Sequence, residues 1–200
     1  MSESPAIDKP GLRERKKART RAAIQEHALR LFREQGYDAT TVEQIAEAAE
    51  VSPSTFFRYF GSKEEAVAYD ALDPAVMSAW RSQPPDMAPI PAIRKAMLEV
   101  FATLSADQMA ELMGRGRLLF SVPELRQAAI NEMLRSAQMV TDELAARLGR
   151  PPDDLELRVF AGAIMGGLLA ALIPMLDGES ADMATQLDRA LEFLEKGIQL

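Results

Sequence analysis

The sequence predicts an all-α protein, and three observations do the predicting. Apolar residues recur at spacings of three and four almost from end to end, no segment sustains the apolar–polar alternation of a half-buried strand, and caps, glycines and prolines interrupt the apolar runs at helical lengths. With 200 residues, 48% of them hydrophobic and 26% charged, the chain can bury one sizeable core or two smaller ones.

From Arg19 onward, Ile24, Ala28, Leu31 and Phe32 share a stripe, and Gly36 ends this first helix near Gln35 because glycine tolerates a left-handed C-cap. Thr41 followed by Gln44 is a capping box, with Val42, Ile45, Ala46 and Ala49 as the apolar face of a helix of about two turns. Ser52 caps a third helix with Pro53 at its first position, where a missing N–H costs nothing; Gly61 ends it after Phe60. Ser62 and Glu65 form another box, and the helix they open is expected to kink or break at Asp73-Pro74, where the aspartate can cap a fresh start.

Residues 82–91 carry four prolines, too many for a helix interior, and read as a linker. Five helical segments are expected beyond it. The first spans about 91–104, with Ile93, Met97, Val100, Phe101 and Leu104 on one face; Ser105 with Gln108 caps the second, which reaches Ser121. Pro123 opens a long third to Leu148, closed by Gly149 and Pro151-Pro152; the fourth runs from Asp154 to Leu176 and the last from Ser180 to the C-terminus.

The formal charge of -7 argues, as an average, against a nucleic-acid partner. Its distribution argues the reverse: residues 1–63 are net +2, residues 64–200 net -9, and Lys9 to Arg33 holds nine basic residues against Glu14 and Glu26. Such a run is either a solvated helix face or an arm positioned by phosphates, with Arg19 among its contacts. Two short helices separated by Glu50-Val51-Ser52, after a longer one, have the proportions of a helix-turn-helix. The second helix of that motif presents its N-terminal residues to base edges in the major groove, here Ser52, Pro53, Ser54 and Thr55. Thr41, Arg58, Tyr59 and Lys63 are placed to meet phosphate oxygens. Phe56 and Phe60 read as core, whereas Phe57 and Tyr59 stand between core and DNA contact.

Ile24 through Phe32, Gly36-Tyr37, Thr40-Thr41-Val42, Ile45-Ala46, Val51-Ser52, Thr55, Tyr59-Phe60 and Lys63-Glu64 together resemble the N-terminal domain of the TetR family of bacterial repressors, over about residues 15–67. The resemblance implies DNA contacts from Thr41, Ser52 to Thr55, Phe57, Tyr59 and Lys63, and a helical C-terminal domain that dimerises and binds an inducer. Two positions depart from the family. Glu50 stands where the turn usually has glycine, so the turn either uses another geometry or strains a left-handed residue. Phe57 stands where tyrosine is common, and its ring cannot bond a phosphate, which leaves Tyr59 and Lys63 as anchors. The expected organisation is a flexible arm over 1–14, the DNA-binding helices over 15–61 and a helical ligand-binding and dimerisation bundle over 62–200.

All ten internal methionines lie after residue 76, and methionine adapts to irregular apolar shapes, so a ligand cavity is expected there. Met97, Phe101, Met109, Met113, Phe120, Met133 and Ala137 are the candidate wall. In Gly114-Arg115-Gly116-Arg117 the arginines either meet an anionic head group, Arg117 being the candidate, or sit as favourable cations near a helix C-terminus. Phe56 to Phe60 with Arg117 to Leu125 also resemble an actinobacterial branch of the family, some of whose members respond to acyl-CoA thioesters.

Val159 to Leu176 is eighteen residues without a charge, but seven are Gly or Ala, Pro174 interrupts it and no aromatic belt flanks it, so no membrane span is expected. Gly162, Gly166, Leu169 and Ile173 share one stripe, and Met183, Leu187, Leu191, Leu194 and Ile198 another; both suit an isologous four-helix dimer interface. The absence of cysteine and the single His27 disfavour thiolate and histidine metal sites and a Ser-His-acid catalyst, so neither metal nor cofactor is expected, and a helical enzyme or a ligand-binding protein without DNA binding is the weaker reading beside a regulator. The N-terminus shows no secretory pattern, and a cytoplasmic location is expected. The expected partners are operator DNA, a small-molecule inducer and a second copy of the chain.

Overall fold

A computed structural model describes residues 11–176 and 182–197, and all regular structure among them is helical. Residues 1–10 of the expected arm, Ser180 and Ile198 lie outside the described residues. The chain divides between Val67 and Ala68 into two units.

The first unit comprises α1 (Leu12–Gln35), α2 (Val42–Ala48), α3 (Pro53–Tyr59) and most of α4 (Lys63–Ala68). Residues 12–14, expected within a flexible arm, already belong to α1. The N-terminal half of α1 buries nothing, while Ile24, Gln25, Ala28, Leu29 and Phe32 are buried in the second half. Leu29 thus takes the core position expected of Leu31, because it falls four residues after buried Gln25 and three before buried Phe32, spacings that share one helix face.

The capping chemistry read from the sequence recurs in the fold. Thr41 Oγ1 accepts from the Gln44 N–H and the Gln44 side chain accepts from the Thr41 N–H, closing the box at the start of α2. Ser52 Oγ accepts from the Thr55 N–H at 3.1 Å, with Pro53 beginning α3. Phe56, Phe60, Ile45 and Phe32 are buried in this unit's core. Side chains then tie α4 to it: Gln25 Nε2 donates to the Ala66 carbonyl at 3.1 Å, and the Tyr37 hydroxyl donates to Glu64 at 2.5 Å. These bonds carry the unit past the boundary expected after Gly61.

The second unit contains α5 (Asp73–Arg81), α6 (Pro89–Phe101), α7 (Ala106–Ser121), α8 (Pro123–Leu148), α9 (Leu155–Leu176) and α10 (Met183–Glu195). The interruption expected at Asp73-Pro74 is a break over 69–72, and Asp73 does not cap it: Leu72 is the N-cap, and Asp70 Oδ1 accepts the Leu72 N–H at 2.8 Å. Only 82–88 act as linker, because Pro89 and Pro91 fit the first turn of α6, where backbone N–H groups have no intrahelical acceptor. Gly149 closes α8 in the left-handed conformation (φ 64).

Trp80, Ile93, Leu144, Ile164 and Leu191 form the centre of this unit, each contributing about 1.5–3 kcal/mol by burial. Trp80 is fully enclosed in this core. The close approach of α9 and α10 occurs at Gly167, where a Cβ would lie 3.0 Å from Leu194 Cδ1; Gly162 and Gly166 have nothing near them. Arg94 adds a bidentate bond to Asp188, at 2.5 and 2.8 Å, between α6 and α10. Leu155–Pro174 is long and apolar enough to cross a membrane, yet its Leu157, Ala161 and Ile164 are buried in this core.

Candidate functional site

Two features stand out, one in each unit. In the first, the N-terminal turn of α3 is exposed at Ser52, Pro53 and Ser54, with Thr55 half-buried. Its hydroxyls form a chain: Ser52 Oγ lies 2.9 Å from Ser54 Oγ and donates to Thr55 Oγ1 at 3.0 Å. Short side chains here let the backbone approach an incoming surface closely, and hydroxyls can turn to donate or accept. Phe56 is fully buried whereas its neighbour Phe57 is 54% exposed, so α3 divides into a core face and a free face. Arg58 is exposed and lies over the Tyr59 ring at 5.4 Å, placing a cation and a phenol together beyond that turn.

Around α3 stand the remaining residues of the expected interface. Thr41 is exposed at the start of α2; its oxygen serves the cap, leaving its O–H to donate. Arg19 is exposed on α1, along with Arg13, Arg15, Lys16 and Lys17. Lys63 is held differently from a free phosphate anchor: Nζ donates to the Tyr37 and Thr40 carbonyls at 2.8 Å each and sits 4.0 Å from the Tyr37 ring centre. One of its three N–H groups remains for an outside acceptor. Beside it, although burial opposes ionisation, hydrogen bonds from Ser62 and Tyr37 hold the Glu64 carboxyl below its ordinary pKa. Glu50 settles the open question of the turn, with φ 53 in the left-handed region.

The second feature is a cavity of about 230 Å³ in the second unit, walled by α5 to α10 and the 69–72 break. Met97, Phe101, Met113, Phe120 and Met133 line it as the sequence expects. Met109, Arg117 and Ala137 do not. Met109 packs against the core elsewhere, and Arg117 is exposed because two residues on a helix are turned about 200° apart, so Arg115 faces inward instead. Ser136 takes the wall position expected of Ala137.

The polar part of this wall was missed in the sequence and comes from four places in the chain: Asp70, Asp73, Arg115 and the α8 pair Glu132 and Ser136. Arg115 Nη1 donates to the Tyr69 carbonyl at 2.6 Å, and its Nη2 lies 3.7 Å from Asp70. Glu132 accepts the Asp70 N–H at 3.2 Å and pairs with Arg135. Ser136 Oγ donates to Asp73 at 2.5 Å. Desolvation by burial, helped by the nearby charge of Asp70, pushes the Asp73 carboxyl up to about 6. One signal was available: Glu132 and Ser136 fall four apart on α8, on the face that carries Ala129, Met133 and Val140.

The expected dimer residues separate into two groups. Leu187 and Leu191 are 4% and 1% exposed inside the unit's own core, so they cannot meet a second copy. Leu194 packs against Gly167, and Leu169 lines the cavity. Gly162, Gly166 and Ile173 are exposed along α9, together with Leu155 and Val159. Among the described residues no group of His, Cys, Asp and Glu could hold a metal ion.

Known proteins share both parts of the chain. Residues 24–68 match the family described as bacterial regulatory proteins, tetR family, and residues 87–199 match the MftR C-terminal domain. The transcriptional regulator TcmR of Streptomyces glaucescens is 38% identical over 152 residues, covering 72% of this chain and 67% of its own. The transcriptional regulator RutR of Escherichia coli is 32% identical over 173 residues, covering 84% of this chain and 73% of its own. Among solved structures, Thermus thermophilus FadR in complex with lauroyl-CoA superposes with a TM-score of 0.56 at 22% identity, over 90% of this chain and 95% of that one. The chain belongs to the TetR family of bacterial transcriptional regulators, with a helix-turn-helix in its first unit.

Proposed function

We propose that the protein is a cytoplasmic homodimeric repressor, released from a pseudo-palindromic operator by a small apolar or amphipathic ligand. The observation that carries this reading is the cavity, a largely apolar space with a few polar groups on its wall, within a unit separate from the helix-turn-helix. Ser52, Pro53, Ser54 and Thr55 read base edges; Thr41, Arg58, Tyr59, Lys63 and Arg19 meet phosphates; Phe57 lends an apolar contact. Two copies associate through the exposed α9 stripe of Gly162, Gly166 and Ile173, extended by Leu155 and Val159. Their α3 helices then stand about 34–36 Å apart, one DNA turn.

Ligand in the cavity favours dimers whose spacing fits DNA poorly, and the shift passes along the chain through the break between α4 and α5. Its size equals the ligand's differential affinity for the two states. Acyl thioesters are one class of amphipathic ligand, and lauroyl-CoA is held by the Thermus fold neighbour. A gel-shift titration against DNA flanking the protein's own gene tests the reading. A retarded complex with two chains per site is expected; folded protein that retards nothing at low salt overturns it.

A further inference from the structure

We infer that the cavity takes a monocationic amphiphile, a protonated amine on an apolar body, with Asp73 as the counter-ion. This rests on the second unit being a ligand sensor and names the chemistry it senses. Most of the wall is apolar: α6 supplies Ile93, Met97 and Phe101, and α9 and α10 supply only Met, Leu and no charge. All charge on the wall comes from Asp70, Asp73, Arg115 and Glu132.

Three of these four are compensated within the protein. Arg115, with a side chain only 11% exposed, spends its guanidinium on Asp70 and the Tyr69 carbonyl, so little of it remains for an anionic head group. Glu132 is neutralised by Arg135 and accepts a backbone N–H from Asp70. Asp73 has the Ser136 hydroxyl and, among the described residues, no ion-pair partner. A half-buried carboxylate in that position is costly to ionise, which is why its pKa stands near 6. A ligand ammonium would supply the missing cation, whereas a carboxylate or phosphate would add a like charge to a wall that already carries an uncompensated one.

Calorimetric titration of the full-length protein with decylammonium, decanol and decanoate, one chain with three head groups, tests the assignment. Decylammonium is expected to bind at least about tenfold more tightly than decanol, and decanoate more weakly than either. In Asp73→Asn the affinities for decylammonium and decanol converge. As pH falls through about 6, Asp73 takes up a proton and the preference for decylammonium shrinks, while decanol binding stays flat. Decanoate binding as tightly as decylammonium overturns the assignment, as does an Asp73→Asn protein that keeps the preference. If all three bind alike, the charge assignment falls and the sensor reading stands. If none binds, both fall.

Discussion

The two units reach function by different routes. In the first, the groups that shape the candidate interface lie close together in the chain: Thr41 with Gln44, Ser52 with Thr55, and Phe56 buried beside exposed Phe57. In the second, the polar wall joins Asp70, Asp73, Arg115, Glu132 and Ser136, residues brought together only by tertiary packing. A surface that reads DNA can be built from one motif. A cavity needs walls from several helices, and its chemistry depends on which side chains turn inward.

Substitutions can break this contrast at either end. The largest effect is expected from Phe56→Ala, which empties the centre of the small first core and should cost about 3–5 kcal/mol. Thermal unfolding followed by circular dichroism should show an early transition for the first unit and DNA binding should vanish; an unchanged melt would mean that Phe56 is not that unit's keystone.

Asp73→Asn works in the opposite direction in the second unit. The folded pKa of Asp73 is raised above its ordinary value of 3.8 to about 6, so the folded state binds the extra proton between those values. Stability from this group is therefore fully present below about pH 4 and is lost as pH rises through 6. Removing the charge should stabilise the protein by roughly 1–2 kcal/mol at pH 8 and by little at pH 4. Urea titrations at the two pH values check this, and equal gains at both would contradict it.

Glu50→Gly sharpens the comparison, since the turn's only irregularity is its left-handed residue. Relief of that strain should raise stability by about 1 kcal/mol, read as a shift in urea midpoint. Arg19→Ala should leave stability unchanged and lower the salt dependence of DNA binding by about one phosphate contact per chain, hence about two per bound dimer; a destabilised protein would show that the exposed half of α1 packs against something.

How far the sequence could be read follows the same contrast. The boundaries at Thr41, Ser52, Ser105 and Gly149 were legible because each cap is made by residues at most a few positions apart. The break after Ala68 was misplaced because Asp73-Pro74 is a conspicuous local signal, while the bonds that hold α4 to Gln25 and Tyr37 span 26 or more positions. Leu187 and Leu191 carry the same periodicity whether they face their own core or a second copy, and only packing separates the two. Arg115 and Arg117 were distinguishable only by helix phase. The methionines and phenylalanines of the cavity were found in part because apolar composition survives without coordinates; the acidic side of the wall does not announce itself in any one segment.

The claim that the first unit reads DNA through a basic helix and an exposed α3 turn is tested most directly by the anisotropy of labelled DNA flanking the protein's own gene, followed across about 50–200 mM salt. A linear, steep fall of log affinity with log salt, as phosphate contacts from both copies release counterions, is the expected result. Affinity that stays flat with salt would contradict the account.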